Sequence, residues 1–143
     1  MDYQSLKTEI ETHPEWVGLS DNEIAVLFNE KTLTMVQSRF VQARTIVAEI
    51  DDGGEILDAI ESVSVAVPAV KWMMIYLKGE VGVDVGYPKT RKRIDDLAAG
   101  GILTVEQAET VKAMAVVPAS IAEVAGFGYI SHQQVAQALR GAL

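Results

Sequence analysis

LTVEQAETVKAMAVVPASIAEVAGFGYISHQQVAQALRGAL, residues 103–143, decides the fold class. Three helix starts are written there in one notation: Thr104 followed by Gln107, Ser120 by Glu123, and Ser131 by Gln134. In each pair the hydroxyl can accept from a backbone N–H of the first turn. The Glu or Gln three residues on can reach back to the cap residue's own N–H. A fourth pair, Ser20 and Glu23, opens a helix near the other end of the chain. Starts this closely spaced describe short helices joined by tight loops.

Upstream of that stretch the same signals recur. Asp2 caps a first helix in which Tyr3, Leu6 and Ile10 recur at helical spacing. His13-Pro14 ends it, because the residue before proline is pushed out of the helical region. Trp16, Val17 and Leu19 then fold back as a small apolar lid. A second helix, from residue 21 to about residue 31, shows Ile24, Leu27 and Phe28 on one face. TLTMVQ, residues 32–37, has the β-branched content of a short strand or an extended connection. Ser38 caps a third helix carrying Phe40, Val41, Ile46, Val47 and Ile50, and Asp51-Asp52-Gly53-Gly54 stops it. A short helix restarts at Glu55 and runs to about Ser62.

Pro68 suits the first turn of the next helix, where its missing N–H costs nothing. That helix, residues 69–78, holds Val70, Trp72, Met73, Met74, Ile75, Tyr76 and Leu77. Its apolar residues go nearly all the way round, which makes it the expected central and most buried helix. GEVGVDVG, residues 79–86, is the main irregular loop, with alternating valines suited to a turn or hairpin. Pro88 starts a helix through Ala99 that Gly100-Gly101 ends. Helices over residues 105–115, 121–125 and 132–141 follow. The expectation is an all-α protein, one helical domain over residues 1–143. It is a compact bundle of about seven or eight short helices, with room for one minor β-hairpin or extended segment.

Composition bounds the function. An apolar content of 49% with 22% charge fits a globular core and not a disordered chain, and 143 residues are enough to bury one. The net charge of −8 has the sign opposite to that of a protein neutralising phosphates. It argues against nucleic acid and anionic membrane as partners. No cysteine is present, which excludes disulfides, thiolate catalysis, zinc ribbons and iron–sulfur clusters. The opening MDYQSLKTEIE, charged and polar, reads as part of the fold and not as a cleavable leader. The longest apolar stretch, residues 63–77, is broken by Ser64, Pro68 and Lys71 and is too short and polar to span a bilayer.

Several clusters have residue types that could form a site. Asp51, Asp52 and Glu55 lack the alternating oxygen ligands and distal Glu of a calcium loop. They read as a helix end followed by a helix start. His13 and His132, the only histidines, are far apart and without a paired carboxylate motif, so no metal is expected. Gly79, Gly82 and Gly86 match no phosphate-binding fingerprint, so no cofactor is expected either. No pair of carboxylates is singled out for acid–base work, and no catalytic residue is assigned.

Two clusters remain as recognition candidates. Lys89, Arg91, Lys92 and Arg93 are the one basic cluster of an acidic chain, suited to an acidic partner or to pairing with the nearby Asp95 and Asp96. Phe127 and Tyr129, in a glycine-bearing turn, are aromatic groups of the kind that anchor interfaces. The same region has nearly the layout of a helix-turn-helix, in which His132, Gln133, Gln137 and Arg140 would face base edges. Against that reading, the turn is long, and Glu106, Glu109 and Glu123 offset Lys112 and Arg140.

Two stretches carry a likeness. The first has Leu6-Lys7, Glu9-Ile10, Pro14, Leu19-Ser20-Asp21, Glu23, Ala25 and Asn29 to Thr32. The second has Pro118-Ala119-Ser120, Ala122-Glu123, Gly126, Gly128, Ile130, Val135 and Ala138-Leu139. Together they resemble small α-helical proteins encoded in the structural-gene regions of tailed bacteriophages. Ile121 stands where that group commonly has arginine, and His13 where an aspartate precedes the proline. The resemblance implies a non-enzymatic phage protein, a head, neck or tail component or an assembly accessory. It implies other phage structural proteins or a second copy as partners, and the host cytoplasm during assembly, then the virion, as location. The alternatives are a helix-turn-helix regulator and a host-directed inhibitor whose acidic surface mimics nucleic acid.

Overall fold

The computed structural model describes residues 1–141. Helices dominate them, as the cap spacing implies. In chain order the first elements are α1 (Tyr3–Glu11), a 3-10 turn (Pro14–Trp16), α2 (Asp21–Asn29), β1 (Leu33–Val36), β2 (Phe40–Val41), α3 (Ala43–Glu49) and α4 (Gly53–Ser64). Then come α5 (Pro68–Lys78), β3 (Val83–Asp84), α6 (Pro88–Ala99), α7 (Val105–Ala113), β4 (Val116–Ala119), α8 (Ile121–Val124) and α9 (His132–Arg140). No helix among the described residues is long and apolar enough to cross a membrane.

The chain forms two compact units, one of Met1–Met35 with residues from Val117 onward, the other of Val36–Val116. The first unit contains α1, α2, α8 and α9. Leu6, Ile10, Ile24 and Phe28 share its core with Ala122, Ile130, Val135 and Ala138. Trp16 is 5% exposed and closes that core. The His13 ring stacks on it at 4.0 Å, and Phe28 meets it edge-on at 4.9 Å. The expected lid is thus real for Trp16, whereas Val17 points to solvent.

Every anticipated capping box forms. Ser20 with Glu23, Thr104 with Gln107, Ser120 with Glu123 and Ser131 with Gln134 exchange both hydrogen bonds at 2.9–3.2 Å. The Asp2 side chain accepts from the Ser5 N–H at 3.1 Å.

The second unit packs α3 to α7 around Val41, Ile46, Ile56, Ile60, Val70 and Val111. Its N-terminal part differs from the sequence expectation. Ser38 caps no helix; α3 begins only at Ala43, and Phe40–Val41 is a strand. The cause is Asp84. Its carboxylate accepts from the Ser38 hydroxyl at 2.7 Å and from the Arg39 N–H at 2.9 Å, which holds this segment extended. β2 therefore pairs antiparallel with β3, Phe40 opposite Asp84 and Val41 opposite Val83. Of the three valines in residues 79–86 only Val83 lies in a strand, and the partner of that strand is remote and not a local hairpin.

Three glycines, Gly53, Gly82 and Gly86, enforce close backbone approach. A Cβ on Gly86 would stand 2.0 Å from the Gln37 carbonyl oxygen, and one on Gly53 would stand 2.3 Å from that of Ile46. The second contact seats the start of α4 against the end of α3. α4 accordingly begins at Gly53 and not at Glu55. Farther on, α7 ends at Ala113 and Val116–Ala119 is a strand paired with β1, where the helix had been expected to reach residue 115.

The largest departure concerns α5. It is not the most buried helix. Val70, Met74 and Leu77 turn inward, whereas Trp72, Ile75 and Tyr76 are exposed. Spacings of four and three residues already make one complete buried face, so the remaining apolar residues of the helix must lie elsewhere on its circumference.

Candidate interaction surface

The basic cluster of α6 does not form one patch. Arg91 is half-buried, and its Nη1 donates to the carbonyls of Val85 at 3.0 Å and Lys112 at 2.9 Å, which ties α6 to its neighbours. Lys92 pairs with Asp96 at 3.1 Å, one helical turn on. Lys89 and Arg93 are exposed. Arg93 and Asp96 also line an open cleft of about 400 Å³ whose other walls are Val63, Val67, Val70, Leu97 and Ile102. Lys112, largely covered, bonds Asp95 at 2.7 Å and Glu109 at 2.9 Å, and these bonds, that to Asp95 first, hold its ammonium above the usual lysine range.

In the first unit, Phe127 is half-buried against the core, while Tyr129 is 78% exposed. The groups suited to base contact are dispersed. His132 and Gln133 are exposed, Gln137 is partly covered, and the Arg140 guanidinium is paired with Asp21 of α2. α9 packs on α1 and α2. Lys7, Lys31 and Arg140 are the only lysines and arginines of this unit. Lys31 is itself paired with Glu123, and that contact, with the Ser120 N–H, holds the Glu123 carboxyl below its usual range.

The acidic cluster splits as well. Asp52 accepts from Gln107 Nε2 at 3.0 Å, whereas Asp51 and Glu55 are exposed. Among the described residues no group of three or more His, Cys, Asp or Glu stands where it could hold a metal ion.

The surface that sequence reasoning missed is the outer face of α5. Trp72 is 55%, Ile75 46% and Tyr76 58% exposed, at relative positions i, i+3 and i+4 on one side of the helix. Val65 and Val67, in the turn before it, are exposed too. Lys71 flanks the strip, with its Nζ 5.9 Å from the centre of the Trp72 ring. Single exposed apolar residues are ordinary; a contiguous strip holding a tryptophan and a tyrosine is the kind of surface that marks an interaction site. Lysines at both 71 and 78 were the available sign that one side of this helix meets water.

Comparison with protein-family models, with curated proteins and with solved structures returned no match.

Proposed function

We propose that this chain is a non-enzymatic bacteriophage protein that works through protein–protein contacts, as a head, neck or tail component of the virion or as an assembly accessory. The observation that carries the reading is the α5 strip of Trp72, Ile75 and Tyr76. Fully burying a large apolar side chain is worth about 1.5–3 kcal/mol, so a partner that covers this strip recovers stabilisation the isolated chain forgoes. The phage assignment rests on the resemblance. Its two stretches, residues 6–32 and 118–139, fall in the same folded unit. The likeness therefore belongs to one body. Other phage structural proteins are the proposed partners, the host cytoplasm and then the virion the proposed location.

Mass spectrometry of purified particles of the encoding phage tests this, together with the mass of the chain in solution. The reading expects the chain in particles at a fixed ratio to another virion protein, or in a stable complex during assembly. A chain that is strictly monomeric and absent from both contradicts it.

A further inference from the structure

We propose that the outer face of α5 docks an amphipathic helix whose apolar stripe is flanked by carboxylates. The inference rests on the protein-contact reading and adds the chemistry of the partner. Its apolar half follows from Trp72, Ile75 and Tyr76, which form a strip along a helix of eleven residues. That helix is about 16 Å long at 1.5 Å per residue, room for three turns of a facing helix.

Its charged half follows from what borders the strip. PAVKWMMIYLK contains two lysines and no acidic residue, in a protein whose net charge is −8. Lys78 is paired with Glu61 of α4 at 2.5 Å. Among the described residues no carboxylate pairs with Lys71; it rests instead beside the Trp72 ring. Glu80, the nearest acid in sequence, lies past the end of the helix. The local charge thus opposes the overall charge, and a facing carboxylate would complete Lys71.

The same border disfavours other occupants. A second copy docked antiparallel on the strip would set the Lys71 and Lys78 edge of one helix against the same edge of the other, a like-charge contact. Docked parallel, it would leave Lys71 of both copies without a carboxylate. An anionic membrane would attract the two lysines but repel a chain of net charge −8.

The test uses the full chain and three probes. One is a synthetic amphipathic helix with leucines at helical spacing and glutamates along both flanks. The second is its twin with lysines in place of the glutamates. The third is vesicles of anionic phospholipid. Binding is read by calorimetry and by tryptophan emission, with circular dichroism to verify that each variant is folded. The glutamate peptide should bind about tenfold tighter than its twin, Trp72→Ala should weaken it about tenfold, and Lys71→Glu should reverse the preference between peptides. Equal binding of the two peptides, binding unchanged in Trp72→Ala, binding to vesicles alone, or self-association through this face would each overturn the proposal. Overturned in this way while the chain is still found in particles, the α5 assignment falls and the protein-contact reading stands. A chain absent from particles that still discriminates the peptides leaves the reverse.

Discussion

Asn29 does inside the first unit what a strand partner does in a sheet. Its side-chain amide donates to the Ile130 carbonyl at 2.7 Å and its oxygen accepts from the Ile130 N–H at 2.9 Å. One residue so satisfies both backbone groups of another residue 101 positions away. Asn29→Ala should lower the unfolding free energy by about 1–3 kcal/mol, since two partly buried groups lose their partner. Asn29→Asp should lose much of the same amount, because a carboxylate cannot donate to the carbonyl. Urea denaturation measures both.

Asp84 has a comparable role in the second unit, with a pH signature. The Ser38 hydroxyl, and with it the N–H groups of Arg39 and Gly86, hold its carboxyl below the usual carboxylate range. A group whose folded pKa is depressed contributes stability above its unfolded pKa and loses it as pH falls through the folded value. Thermal melts should therefore show part of the acid-induced loss of stability, below about pH 4, missing in Asp84→Asn, which is itself less stable at neutral pH. Neither residue was legible in the sequence. By sequence Asn29 reads as one more position in the last turn of a helix and Asp84 as part of a loop, because their partners are set by tertiary approach and not by spacing.

Among the elements, what was legible is what local chemistry decides. The four Ser or Thr caps with their Glu or Gln three residues on are complete within a single turn, so no tertiary contact is needed to write them. Helix ends at His13-Pro14 and Gly100-Gly101 are legible for the same reason. The strands were harder. β2 and β3 are two residues each, and their pairing is fixed by Asp84 and by the glycine at 86 that admits the Gln37 carbonyl. No period is readable over two residues. α5 failed differently, since counting apolar residues around a helix measures hydrophobicity and not which side has a neighbour. Among the caps, Ser120 is buried and starts the four-residue α8. Ser120→Ala should cost about 1–2 kcal/mol, at the upper end of cap substitutions, because a covered N–H loses its acceptor without water to replace it. Chemical denaturation of the variant checks the magnitude.

For the whole molecule, the two cores consume most of the large apolar side chains, and α5 holds the largest contiguous remainder along one helix. The recognition residues read from sequence were found by their chemistry, as basic or aromatic. Several of them are already occupied: Arg91 holds two backbone carbonyls, Lys92 pairs with Asp96, and Arg140 pairs with Asp21. Groups that can recognise a partner can equally hold a fold, and sequence does not separate the two uses.

The chain has two tryptophans, Trp16 enclosed by His13 and Phe28 and Trp72 on the outer face of α5. Acrylamide quenching therefore tests the central claim directly, with Trp72→Phe identifying which emission belongs to α5. The account predicts that Trp72 is quenched freely in the isolated chain and shielded in the assembled complex, while Trp16 is shielded in both. A Trp72 already shielded in the isolated chain, or quenched equally before and after assembly, would contradict it.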